Sequence, residues 1–327
     1  MADIGWVKSY DGRSGGTWVQ QRVIDGLAES HSFERVVIEP ELHPVRFPRS
    51  AWRLATYGDE SVDVWVEDVT SLTVKMPWRR QLDVLAFHHL PQPSDSRSPT
   101  ALLGSLRNGV VERRLAAVDR IVVVSDFWED YLAERGITEN VVKIYNGLPL
   151  ERFEFDPAEI ASVRADLCDD PDRPLVHVGP CAPDKGGHRA YEALAGADVE
   201  CITTGRKVYD TPVTHHDPPY EEYLKILAAC DVLVAMSEFP EGWGLQVQEA
   251  MLCRTPVVGS GRGGMGMLLD GGGQLVCRDI EDLEATVARA IADQDRLGDR
   301  GYEYASQFPL EAMVEGWRAM FDDLTDS

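Results

Sequence analysis

The feature that most constrains this chain is an alternation of short apolar runs with helical stretches that plays through twice. In the first half, residues 4–7, 36–38, 62–66, 84–87, 121–124 and 141–145 read as strands, and residues 17–28 as an amphipathic helix behind a glycine-rich turn. Residues 121–124 are β-branched throughout, the pattern of a strand buried on both faces. Such strands separated by helices predict parallel sheets covered on both sides, because parallel neighbours need a crossover connection.

A polar, acidic, proline-bearing segment, residues 151–174, reads as a linker with a short helix, after which the alternation restarts. Strands are expected over 175–178, 199–203, 232–235 and 256–259, and helices over 187–194, 220–230 and 244–252. At 327 residues the chain exceeds the size at which one hydrophobic core stops growing. The expectation is an α/β protein of two domains, residues 1–150 and 151–305, with a final helical segment over 306–327 that crosses back to the first. Ligands of doubly wound sheets sit at the carboxyl ends of strands, which for paired domains predicts a central cleft.

Charge narrows the function. Against 55 acidic residues stand 32 basic ones, a formal charge of -23 that repels nucleic acid and anionic lipid on average. Only six of the basic residues are Lys, and acidic excess with scarce Lys points to a halophilic-type acidic protein in a salt-rich cytosol. The opening residues carry no apolar leader and no run of eighteen apolar residues occurs, so a cytoplasmic location is expected. The six Cys are widely spaced without a CxxC pair, and although His177 and His188 flank Cys181 no ligand set is completed. Buried free thiols and no essential metal are expected.

The most specific segment is EFPEGWGLQVQEAMLCRTPVVGS, residues 238–260. Glu241 and Glu249 stand eight apart, with a Gly-Trp-Gly loop after the first and a helix carrying the second. A glycine-rich entry to a helix offers unpaired N–H groups and a positive dipole end to a phosphate. A carboxylate within that helix can accept hydrogen bonds from ribose hydroxyls. Two carboxylates at this spacing arise by chance in so acidic a chain; the loop between them and the EAM-x-x-x-x-P-V-V run decide for a nucleotide diphosphate attached to a polyol.

This segment resembles the E-x7-E motif of the retaining glycosyltransferases with the GT-B fold, family 4 in particular. The likeness extends over nearly the whole chain, through VDRIVVVSDF with Ser125, KIYNGLP with Asn146 and Gly147, HVGPCAPDKGG with Lys185 and Gly186, and ACDVLVAMSEFPEGWGL with Ser237. It implies a GT-B fold, two Rossmann-like doubly wound domains facing a central cleft. It also implies a nucleotide-sugar donor as substrate, with no further cofactor, and transfer to a glycan or lipid-linked acceptor in cell-surface polysaccharide or glycoprotein glycan synthesis. The alternatives are a GT-B enzyme acting on a soluble small acceptor, and a non-catalytic GT-B protein that binds a nucleotide sugar or serves as a partner subunit.

By the same resemblance, Glu241 lies beside the donor sugar, Glu249 holds the ribose, and the backbone of Gly244 and Leu245 approaches the diphosphate. Lys185 neutralises the leaving phosphate, and Gly15 and Gly16 let the first domain's backbone approach it. His88 or His89 matches a histidine near the reacting sugar; on a strand end the two point apart, so at most one is expected to act, and a structural role is as good a reading for either. Two departures stand out. Pro180 occupies the position after Gly179 where the family usually has Arg, with Arg206 as a candidate substitute, and Met267 stands where the family often has an acid.

Two further features have competing readings. Trp52 beside Arg53, and Trp78 beside Arg79 and Arg80, could form an amphipathic lip in peripheral contact with the inner membrane face. A helix packing its Trp into the core with Arg exposed is the favoured alternative. His215 and His216, in TPVTHHDPP, read as a flexible surface loop rather than a metal site.

Overall fold

The computed structural model describes residues 2–8, 15–37, 52, 62–74, 82–90, 109, 111–115, 117–182 and 184–326. The chain divides into two compact units, Met1–Gly147 with Leu310–Ser327, and Leu148–Pro309.

The first unit runs β1 (Asp3–Lys8), α1 (Gly15–Leu27), β2 (Ser32–Val37), β3 (Val64–Glu67), α2 (Val69–Val74), β4 (Leu82–Phe87), β5 (Arg120–Val123), α3 (Asp126–Ala133) and β6 (Val141–Lys143). The strands form one parallel sheet in the order β2-β1-β3-β4-β5-β6. Every residue of β3 is buried, as expected of a strand covered on both faces. Behind β4 and β5, the Phe87 and Trp128 rings meet edge to face at 5.3 Å, and both are fully buried. The last helix of the chain belongs to this unit: its Trp317 meets Trp6 of β1 at 5.1 Å, and Gly26 of α1 lies where a Cβ would stand 2.7 Å from Val314.

The second unit runs α4 (Pro157–Leu167), β7 (Leu175–His177), α5 (Gly187–Leu194), β8 (Glu200–Thr204), β9 (Thr214–His216), α6 (Tyr220–Ala229), β10 (Val232–Ala235), α7 (Leu245–Leu252), β11 (Val257–Gly259), α8 (Gly264–Gly271), β12 (Leu275–Val276), α9 (Leu283–Ala292) and α10 (Gln294–Ala305); α11 (Leu310–Thr325) is the returning helix. Its parallel sheet has the order β12-β11-β10-β7-β8-β9. Helix α4 lies inside the expected linker and starts on an Asp156 cap, whose carboxylate accepts from the Ala158 amide at 2.9 Å. Arg164 ties α4 to the body of the unit by donating to the Ala229 carbonyl at 2.8 Å and pairing with Asp231.

One expectation is corrected. His215 and His216 lie on β9, paired in parallel with β8 through Thr203↔His215 and Thr204↔His216, not in a loop. β9 is the last strand of its sheet, so one neighbour satisfies its backbone while polar side chains face outward, and no apolar run announces it. Of the aromatic–arginine segments, Trp52 is 60% exposed, which removes the core-packing reading for that residue. Arg53, Trp78, Arg79 and Arg80 lie outside the described residues. All six Cys are free thiols and five are buried. No described helix is long and apolar enough to cross a membrane.

Candidate functional site

In the second unit the succession of strands reverses between β7 and β10. At such a switch point the loops leaving adjacent strands diverge, and ligands bind outside the carboxyl ends. The loop after β7 carries Lys185 and the loop after β10 carries Glu241, and the two side chains meet there: Lys185 Nζ is 2.7 Å from Glu241 Oε1. Ser237 donates its hydroxyl to the same carboxylate oxygen, and the Lys185 ammonium lies 4.8 Å from the centre of the Phe239 ring. The glutamate side chain is 15% exposed and the lysine 38%, so the pair sits at an accessible floor rather than in the core.

Main-chain contacts hold these loops in place. Glu241 N donates to the Arg262 carbonyl at 3.2 Å, and the Glu241 carbonyl accepts from Gly264 N at 2.9 Å. Between them Gly263, at φ 69°, has no room for a side chain, since a Cβ would fall 2.3 Å from the Glu241 carbonyl. Gly186, at φ 74°, is closer still: a Cβ would stand 2.1 Å from the Met236 carbonyl on the facing loop. Only glycine supplies both this conformation and this approach.

Helix α7 starts on Gly244, whose carbonyl accepts from Val247 N and Gln248 N. The Leu245 amide belongs to the first turn, whose N–H groups have no helical partner and point toward any anion placed there. Trp243 is an anchor: it is 2% exposed, donates Nε1–H to Gln248 Oε1 at 2.7 Å, and packs edge to face on Phe308 at 5.0 Å.

Glu249, farther along α7, is buried, and each of its oxygens has a phenolic partner. Tyr220 donates to Oε1 at 2.9 Å and Tyr223 to Oε2 at 3.0 Å. Burial raises its pKa to about 7, a rise that the two tyrosine hydrogen bonds partly offset. Burial and the Glu249 charge in turn raise the pKa of both tyrosines, which therefore stay protonated donors. Tyr223 also lies edge-on to His177 of β7, whose Nδ1 accepts from the Gly179 amide at 3.2 Å. Burial lowers the His177 pKa to about 4, so that acceptor is a neutral ring.

The remaining predicted residues fall as follows. Gly15 opens α1 and is exposed. Gly16 follows it and faces His88 after β4, where a Cβ would lie 3.6 Å from the imidazole. His88 is half-buried; desolvation and then the adjacent His89 lower its pKa to about 4, leaving it neutral, while His89 is exposed. Arg206, after Gly205, is exposed and makes no hydrogen bond or ion pair among the described residues. Pro180 is half-buried beside Gly179, and Met267 is half-buried on α8. The structure thus brings Lys185, Glu241, Gly244, Leu245 and Glu249 onto one set of loops and α7, and Gly16 with His88 in the other unit. Tyr220, Tyr223 and Gly263 were missed; the two tyrosines three apart at the start of a helix were the available signal. Among the described residues no group of three or more His, Cys, Asp or Glu side chains could hold a metal ion.

Residues 160–293 match the family described as glycosyl transferases group 1. An uncharacterized glycosyltransferase of Methanocaldococcus jannaschii is 25% identical over 228 residues, covering 64% of this chain and 60% of that protein. A D-inositol 3-phosphate glycosyltransferase of Corynebacterium jeikeium is 31% identical over 112 residues, 32% of this chain and 26% of that protein. The chain thus spans under two thirds of the length of either relative. Among solved structures, Anabaena HepE in complex with UDP-glucose superposes with a TM-score of 0.78 at 17% identity, covering 99% of this chain and all of that one. Sucrose-phosphate synthase of Thermosynechococcus elongatus superposes with a TM-score of 0.81 at 20% identity over the whole of both chains. The chain has the GT-B fold, two parallel six-stranded sheets with flanking helices, and its residues 160–293 are similar to the glycosyl transferases group 1 family.

Proposed function

We propose that this protein is a retaining glycosyltransferase that moves a sugar from a UDP-sugar to a hydroxyl of a glycan or lipid-linked acceptor in cell-surface polysaccharide or glycoprotein glycan synthesis. The observation that carries the reading is the Lys185–Glu241 pair at the switch point, beside the start of α7 and with Glu249 clamped inside the same helix. The uridine nucleotide is supported by the HepE structures, which hold UDP-glucose, UDP and glucose, or UDP.

In this reading the diphosphate lies at the first turn of α7, the ribose hydroxyls donate to Glu249, and the sugar hydroxyls donate to Glu241. Glu241 Oε1 is already occupied by an ammonium and a hydroxyl, an environment that blunts a nucleophile and suits a hydrogen-bond acceptor. A front-side displacement follows. The C1–O bond to the diphosphate breaks with its electron pair on the departing phosphate, Lys185 stabilises that charge, and the acceptor oxygen attacks the same face while its proton passes to the phosphate. In the same reading His88, a neutral ring facing Gly16, takes the role of a hydrogen-bonding group.

The test is to incubate the protein with UDP-sugars and a panel of glycan acceptors, with and without lipid vesicles, and to read UDP release and the product anomer by NMR. Release of UDP with retained anomeric configuration is expected. An inverted product contradicts the mechanism, and no release by folded protein across the panel contradicts the activity. A soluble phosphorylated acceptor is the second reading, favoured by the Corynebacterium relative's name; turnover confined to lipid-free soluble acceptors would establish it.

A further inference from the structure

Beside Glu241, on the side of β11 and β12, lies a cavity of about 230 Å³ at the carboxyl ends of β10, β11 and β12. Arg189, Arg262 and Arg278 are among the residues that line it, and all three are exposed. The acidic residues on its wall are Glu238 and Asp279, so the cavity carries one net positive charge in a chain of formal charge -23. Glu238 spends its charge locally: its carboxylate takes Arg189 at 2.7 Å and its carbonyl accepts from Arg262 at 2.6 Å. Arg278 makes no hydrogen bond or ion pair among the described residues. Arg189 and Arg262 both donate to Glu238, which leaves Arg278 on this wall with its guanidinium unpartnered among the described residues, and an oxyanion in the cavity would satisfy it with bidentate hydrogen bonds.

Two links tie this cavity to the sugar end of the donor site. Ser237 lines the cavity and donates its hydroxyl to Glu241 Oε1. Arg262 lines it too, and its carbonyl accepts from Glu241 N. The void is smaller than sites that enclose a drug-sized molecule, so it suits one substituent of a sugar, not a second nucleotide. We propose that this arginine-lined cavity recognises an oxyanion borne by the transferred sugar, so that the preferred donor is a nucleotide hexuronate. The inference rests on the donor-site reading above, because it takes Glu241 as the residue that touches the sugar.

The experiment is calorimetric titration of the full chain at low salt with UDP, UDP-glucose, UDP-galactose, UDP-glucuronate and UDP-galacturonate, repeated on Arg278→Gln. At least one uronate is expected to bind about tenfold tighter than its parent hexose, and the preference is expected to fall to within about twofold in the variant. Non-specific charge works the other way, since the acidic protein repels the extra carboxylate. UDP binding without a preference for either uronate overturns the inference and leaves the donor reading standing. A preference that survives Arg278→Gln overturns the cavity as its source, with UDP binding by the variant reporting that it is folded. If folded wild-type protein binds none of the five, the donor reading falls, and the inference with it.

Discussion

The two units share an architecture, six parallel strands each, yet they hold their candidate residues differently. In the second unit the two carboxylates are clamped, Glu241 by Lys185, Ser237 and two backbone bonds and Glu249 by two tyrosines, and the loops are held against each other at Gly186 and Gly263. In the first unit Gly16 faces the neutral ring of His88 with room for a Cβ at ordinary van der Waals distance. The contrast fits a division of labour. A diphosphate needs fixed charges and dipoles aimed at one place, whereas a group that meets a hydroxyl can be looser.

The strongest way to break this comparison is a pair of alanine substitutions. Gly186→Ala places a Cβ against the Met236 carbonyl in a left-handed backbone, and is expected to cost about 3 kcal/mol or more, a fall in Tm of roughly 6 °C or more. Gly16→Ala, with its nearest contact at 3.6 Å, should shift Tm by no more than about 2 °C. Equal effects in thermal melts would remove the distinction between a clamped and an open site.

Next in size is the pH response of Glu249. Its folded pKa, about 7, lies above the ordinary carboxylate value of 4.5, so between those values the folded state binds more protons than the unfolded one. Stability is therefore expected to fall as pH rises from about 4.5 through 7, by up to about 3 kcal/mol, and not to rise. Glu249→Gln removes the titration, so the difference in Tm between the two proteins should change steadily over pH 5 to 8 and level off above it. A constant difference would show that the carboxylate is ionised throughout.

Lys185→Ala follows: in the proposed mechanism this cation stabilises the leaving phosphate, so its loss is expected to lower turnover about 100-fold, with UDP affinity falling less, read by steady-state kinetics and titration. Arg206→Ala should be the smallest, within about twofold in turnover, since the side chain is exposed and unpartnered among the described residues. If Arg206 matters as much as Lys185, it is the missing second cation, in place of the arginine that Pro180 displaces.

These tests fall on residues that were unequally legible. The central strands β7, β10 and β11 were readable because every residue in them is buried and Val and Leu make up most of each run. The strands missed in whole or part all lie at sheet edges: β2, whose start at Ser32–Arg35 is broken by polar residues, β9 with its two histidines, and the two-residue β12. An edge strand has one open side and one neighbour, so its sequence is free to be polar. At the candidate site, Glu241 and Glu249 were picked out through the Gly-Trp-Gly context and Lys185 through the family resemblance. Tyr220 and Tyr223 were not, because their role depends on α6 lying against α7, a tertiary contact that spacing along the chain does not encode.

The central claim is that the second unit binds the nucleotide diphosphate of a sugar donor, with Glu249 on its ribose. The most direct measurement is calorimetric titration of UDP into wild-type protein and Glu249→Ala at pH 8, with far-UV circular dichroism to verify that both are folded. The account predicts saturable one-to-one binding to the wild type and a loss of at least about tenfold in affinity in the variant. Folded wild-type protein that does not bind UDP, or a variant that binds it equally well, would contradict it.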